Sequence, residues 1–177
     1  IREPFSSLTS YAAQPIVNVT IMALIVIGGI GFLTWEDIKR NKWHLKKYRM
    51  QSKVILSVTA LFILFPTVYF FFCEFSELPL AERIWCSLFQ AITPRTAGFN
   101  TADLSSISEV GQMLLIILML VGGSPGSTAG GIKTTTIAVL FSSALTVFRK
   151  KENIHFFGRR IPDDAVRNAA TVFLMYI

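Results

Sequence analysis

Histidine and cysteine are scarce in this chain, two of each in 177 residues. Cys73 and Cys86 form no CxxC pair, and His44 and His155 have no partner at metal-ligand spacing. That scarcity excludes a disulfide framework and a zinc site, so the cysteines read as apolar thiols and the histidines as solvated loop residues. Charge is absent over long runs: positions 16–35 and 54–73 are twenty residues each without Asp, Glu, Lys or Arg. A charged opening region followed by an apolar core and a cleavage site is also lacking, so no secretory signal is read. The chain does not start with Met and stops inside an apolar run, so both ends are expected to be cut from a longer chain.

What remains is oily: 52% apolar residues, a mean hydropathy of +0.53 and a formal charge of +6. This composition predicts an all-α polytopic membrane protein. Twenty apolar residues suffice to cross about 30 Å of hydrocarbon, so 16–35 and 54–73 are predicted transmembrane helices, with Pro66 kinking the second rather than stopping it. Gly28, Gly29 and Gly31 lack the further spaced glycine and the preceding strand of a dinucleotide loop, and read as close helix packing. Between the spans, 36–53 carries Lys39, Arg40, Lys42, Lys46, Lys47, Arg49 and Lys53 against Glu36 and Asp37, which predicts a cytoplasmic loop. Trp43 and Tyr48 accompany these charges, a composition also found in nucleic-acid binders. Beside membrane spans it reads instead as a surface near anionic lipid headgroups or a docking surface for a cytoplasmic partner, with no nucleic acid expected.

Beyond the second span, Glu74, Glu77 and Glu82 gather at the outer mouth as a modest attractant for cations. The segment 80–92 has thirteen residues, too few to cross, so it is predicted to enter the membrane and return as a pore helix. Pro94 stops that helix and Gly98 has no Cβ, which lets carbonyls on either side turn toward one axis. Thr96, Ala97, Gly98, Phe99 and Asn100 are therefore the candidates whose backbone carbonyls replace the water shell of a dehydrated alkali cation. The pore helix also directs its partially negative C-terminal end at that place.

The segment 110–148 is an apolar helix pattern interrupted at 122–131. Its first piece is only twelve residues, roughly 18 Å of helix. The interruption is Gly122, Gly123, Ser124, Pro125, Gly126, Ser127, Thr128, Ala129, Gly130 and Gly131, a composition no stable helix chooses. Two separate crossings would put Arg149, Lys150, Lys151, Arg159 and Arg160 outside, so one broken transmembrane helix is preferred and the loop 149–162 is expected in the cytoplasm. On this topology thirteen of the seventeen Lys and Arg residues lie inside, with Arg83 and Arg95 near the outer face. Non-helical backbone at membrane depth must line a cavity, which makes 122–131 a candidate gate beneath the filter turn. Lys133 is the one charge in this segment, and it is expected to anchor the closed loop on a carbonyl or carboxylate of another unit, or to repel cations. GSTAGGIKT misses the phosphate-loop pattern because Ile132 intrudes between Gly131 and Lys133. A further span is expected to begin at 167 and run to 177.

The pair TPRTAGFNT (93–101) and GGSPGSTAGGIKTTT (122–136) resembles the Trk/Ktr/HKT superfamily of potassium transporters, most closely the membrane subunit of bacterial Ktr systems. The resemblance implies four membrane-pore-membrane units in one chain, of which 54–148 is one. On that reading 16–35 ends the preceding unit, 167–177 begins the next, and 96–100 supplies a quarter of the filter. It further implies K+ as the transported ion, an intramembrane gating loop at 122–131, a homodimer, and a cytoplasmic ring that carries the regulatory nucleotide. No enzyme activity and no cofactor bound by this chain are expected. The rival reading is an ion-coupled secondary transporter with its site at the broken helix. No acidic residue lies within the spans to serve such coupling.

Overall fold

The computed structural model describes residues 7–42, 44–102, 104, 107–150 and 154–176. Trp43, Lys151 and residue 177, named above, lie outside the described residues. Seven α-helices are described: α1 (Pro15–Ile30), α2 (Phe32–Asn41), α3 (Met50–Tyr69), α4 (Leu80–Ile92), α5 (Glu109–Leu120), α6 (Thr134–Phe148) and α7 (Asp163–Tyr176). A short antiparallel hairpin, β1 (His155–Phe156) with β2 (Arg159–Arg160), stands between the last two helices.

The single helix expected over 16–35 is instead two helices, bent by 95° at Gly31. Gly31 has φ +89°, outside the helical range, and a Cβ there would lie 2.6 Å from the Pro125 carbonyl oxygen. The Pro125 carbonyl packs against Gly31 where a side chain would stand, so only glycine fits at this bend. Beyond the bend, α2 carries Glu36, Asp37, Lys39 and Arg40 and leaves the apolar layer. Asp37 is buried, accepting the Asn41 side-chain amide at 2.9 Å and the Arg49 backbone N–H at 2.7 Å. Burial pushes its pKa up, but the hydrogen bonds from Arg49, Ser52 and Asn41 and the Arg49 charge together hold it below the usual value. Arg49 is the N-cap residue of α3, so this carboxylate fastens α2 to the start of the long span.

Helix α3 passes Pro66 without stopping and opens into a π-helical turn, Phe70–Glu74. The 25 residues from Met50 to Glu74 are long and apolar enough to cross a bilayer. Glu74 is committed rather than free at the mouth. Its carboxylate accepts the Tyr69 hydroxyl at 3.0 Å, the Ser108 N–H at 3.0 Å and the Ser108 hydroxyl. Ser108 in turn caps α5 by accepting the Gly111 N–H at 3.2 Å.

Helix α4 packs on α3 and α1, burying Cys86, Ser87, Phe89, Gln90, Ala91 and Ile92. Its Arg83 donates from Nε to the Phe71 carbonyl at 2.6 Å and stacks 4.1 Å from the Phe71 ring. One core joins Phe70, Phe75, Cys86, Leu115 and Leu118, and a second joins Met22, Phe89 and Ile92. Leu61, Leu64, Phe65, Phe72, Met113, Ile116 and Phe141 stay exposed, as suits helices whose solvent is lipid. Helix α7 starts at Asp163, four residues before the expected position, because Asp163 and Asp164 favour its N-terminal turn.

Candidate functional site: the turn after α4 and the loop between α5 and α6

The turn 93–101 is built around one threonine. The Thr93 carbonyl accepts the N–H groups of Ala97 and Gly98 at 3.1 and 3.2 Å, and its hydroxyl donates to the Phe99 carbonyl at 2.6 Å. Gly98 sits at φ +74° and Thr96 at φ +76°. Threonine there costs on the order of 1–3 kcal/mol, strain that persists only where the surroundings enforce it. Of the five carbonyls singled out by sequence, that of Phe99 takes the Thr93 hydroxyl and that of Asn100 accepts the Leu8 N–H at 2.8 Å. Among the described residues the carbonyls of Thr96, Ala97 and Gly98 accept no hydrogen bond. Three successive carbonyls that no described residue pairs, in the partly exposed turn after α4, are available as ligands for a bare cation.

Arg95, expected near the outer face, is buried within the protein. It is 7% exposed, and lines a gap of about 10 Å³ with Ile25, Val26, Gly29, Ile92 and Gly123. Its Nε has no hydrogen-bond partner. The side chain thus reaches from the turn 93–101 toward the loop between α5 and α6.

That loop is a closed knot. At its neck the Gly122 N–H donates to Ile132 at 3.0 Å and the Ile132 N–H to Leu120 at 3.1 Å. The strands of the neck come so close that a Cβ on Gly122 would lie 1.6 Å from the Gly130 carbonyl oxygen. Inside, the Thr134 N–H donates to Gly123 at 3.1 Å, and the buried Ser124 and Thr134 hydroxyls pair at 3.2 Å. The Lys133 ammonium donates to the Ala129 carbonyl at 2.8 Å. Its acceptor lies in its own loop, where sequence reasoning looked to another unit.

The loop is also docked on α1. The Ser124 N–H donates to Gly29 at 2.9 Å, the Thr128 N–H and hydroxyl both donate to Gly28 at 3.3 Å, and Gly126 accepts the Phe32 N–H at 3.1 Å. Helix C-termini leave carbonyls without intrahelical donors, and the loop supplies those donors. A Cβ on Gly28 would meet the Thr128 hydroxyl at 3.0 Å, so the glycines of α1 make a seat for the loop. Close packing was read from them, but not what packs. Ser7 and Leu8, which hold Asn100 by its N–H at 3.0 Å and by its carbonyl, carried no signal in sequence.

A helix long enough to cross a bilayer, a thirteen-residue helix, a turn whose carbonyls no described residue pairs and two shorter apolar helices joined by a docked loop fit an all-α membrane protein of the membrane-pore-membrane class. The chain matches the TrkH cation transport protein family over residues 3–177, and it belongs to that family. It is 40% identical over 160 residues to the potassium/sodium uptake protein NtpJ of Enterococcus hirae, covering 88% of this chain and 35% of that protein. It is 34% identical over 172 residues to the Ktr system potassium uptake protein B of Bacillus subtilis, covering 94% of this chain and 38% of that protein. The crystal structure of the potassium transporter TrkH from Vibrio parahaemolyticus superposes with a TM-score of 0.73 at 20% identity, over 89% of this chain and 36% of that one. The chain thus spans little more than a third of the length of these relatives.

Proposed function

We propose that this chain is part of the ion-translocating subunit of a potassium-uptake system, conducting K+ through a filter to which the turn 96–100 contributes one quarter. The observation that carries this reading is the row of unpaired carbonyls at Thr96, Ala97 and Gly98, set at the buried end of α4 and linked through Arg95 to the docked loop. Phe99 and Asn100 keep one lone pair each for an ion, since a carbonyl oxygen has two. Residues 122–131, with Lys133, form the gate: seated on α1 they obstruct the path, and released they open it. The basic segments 36–53 and 149–162 face the cytoplasm, near anionic lipid and a nucleotide-binding regulatory ring, and the full-length subunit works as a homodimer.

The test is Gly98→Ser in the full-length protein, with K+ and Na+ uptake measured in a strain lacking its own potassium uptake. Serine at φ +74° displaces the carbonyl row without a clash, since nothing lies within 4 Å of an added Cβ. Weaker K+ affinity or lost preference over Na+ is expected from a well-expressed variant. Unchanged kinetics for both ions would remove the filter assignment.

A further inference from the structure

We propose that the hollow between the 3-10 turn Leu45–Lys47, the first turns of α3 and the β1–β2 hairpin is a binding site for one anionic phospholipid of the inner leaflet. The hollow measures about 450 Å³ and is lined by Leu45, Lys46, Lys53, Leu56, Ser57 and Phe157, a size within the range of ligand sites. Its depth selects the ligand. Leu56 and Ser57 lie six to seven residues into α3, roughly 10 Å along the span from Met50. A groove that runs from a basic loop down the side of an apolar helix is open to an acyl chain, whereas a water-soluble acidic peptide reaches only its rim.

The rim is chemically suited to a phosphate. The Lys53 ammonium donates to the Lys46 carbonyl at 2.9 Å, which leaves two of its three donors free. Among the described residues neither Lys46 nor Lys53 pairs with a carboxylate; the ion pairs there are Arg160 with Asp163 and Arg167 with Asp164. Among the described residues the positive charge beside the hollow therefore lacks a counter-ion.

The hairpin tip adds a third observation. Phe157 has φ +46° and Gly158 φ +79°, so the two residues turn with positive φ at both positions, where Asn, Asp or Gly is preferred. A phenylalanine in this conformation is an outlier that a simple connection does not need. The turn holds the ring 58% exposed, 5.9 Å from the Lys53 ammonium, with Leu45 64% exposed across the hollow. Strained backbone that displays an apolar ring beside unpaired lysines fits a wall against a lipid chain.

The site rests on the cytoplasmic orientation proposed above, and the experiment separates the two. Full-length protein in detergent is titrated with phosphatidylglycerol and with phosphatidylcholine of the same chains, and bound lipids are counted by native mass spectrometry. The parent should retain phosphatidylglycerol preferentially. Lys46→Gln and Lys53→Gln should each weaken that retention about fivefold. Phe157→Gly, which relieves the turn strain and so should fold at least as well, should lower retention of the lipid while glycerol phosphate fails to compete for the site. Equal retention of the two lipids by the parent, an unaltered preference in the variants, or displacement by glycerol phosphate or an acidic peptide would overturn the lipid site. A cysteine at Asn41, labelled by an impermeant reagent, reports orientation separately. Labelling only from inside keeps the orientation whatever the lipid result, and labelling from outside removes it.

Discussion

The Ser124 amide donates to the Gly29 carbonyl at 2.9 Å, joining the loop of one membrane-pore-membrane unit to the last turn of the helix that precedes that unit. An interrupted helix costs its unpaired backbone groups in hydrocarbon. Here α1, itself broken at Gly31, gives the loop its acceptors, so two interrupted helices satisfy each other. Displacing the loop therefore leaves the Gly28 and Gly29 carbonyls in need of new donors.

The neck glycine is the least replaceable position in the loop. Gly122→Ala places a methyl group 1.6 Å from the Gly130 carbonyl oxygen, which the backbone cannot relieve without losing the bond from the Gly122 N–H to Ile132. The variant should lose the docked loop. A melting temperature and parent-like closed-state flux measured on the full-length protein check this; values unchanged from the parent would contradict it. Gly98→Ser is the contrast, costing about 1–2 kcal/mol from conformation alone and acting on selectivity rather than assembly.

Asp37 gives a pH signature. Its pKa is lower in the folded chain than in the unfolded one, so its contribution is fully present above the unfolded value of about 4 and is lost as pH falls through the folded value. Asp37→Asn should cost about 1–3 kcal/mol, equally at pH 7 and pH 5, with the gap from the parent narrowing only below about pH 4. Thermal melts across this range decide it. A gap that closes between pH 7 and pH 5 would mean that Asp37 is not held ionised by Arg49.

Arg95 is over nine-tenths buried with an unpaired Nε, and such a charge persists only when something compensates it. In the full-length protein an acceptor from another unit is expected to complete it. Arg95→Met should then destabilise by about 3–5 kcal/mol, because removing one partner leaves the other buried and unpaired. A Met variant as stable as the parent would show that no such acceptor exists.

Much of this architecture was legible from residue order. Thirteen residues ending before Pro94 could form only a short returning helix, and Gly122 to Gly131 could not continue one. The bend at Gly31 was not legible, because twenty uncharged residues look like one straight span until the loop is seen packed against Gly31. Nor was the use of Glu74. A carboxylate after a span reads as a mouth charge, and only the fold brings Ser108 to it from 34 residues away. The burial of Arg95 was not legible for a similar reason, since sequence gives the position of its Cα but not the direction of a long side chain.

The most direct measurement of the account is potassium flux through full-length protein in proteoliposomes after removal of residues 124–130, with Lys133→Ala as a milder companion. The deletion removes the loop's seat on Gly28 and Gly29, and Lys133→Ala frees the Ala129 carbonyl that the ammonium now holds at 2.8 Å. If the loop obstructs the path, both variants conduct more K+ than the parent, and control by the cytoplasmic partner loosens. If they assemble normally yet conduct less at every K+ concentration, the loop belongs to a binding site or a scaffold, and the gating account is wrong.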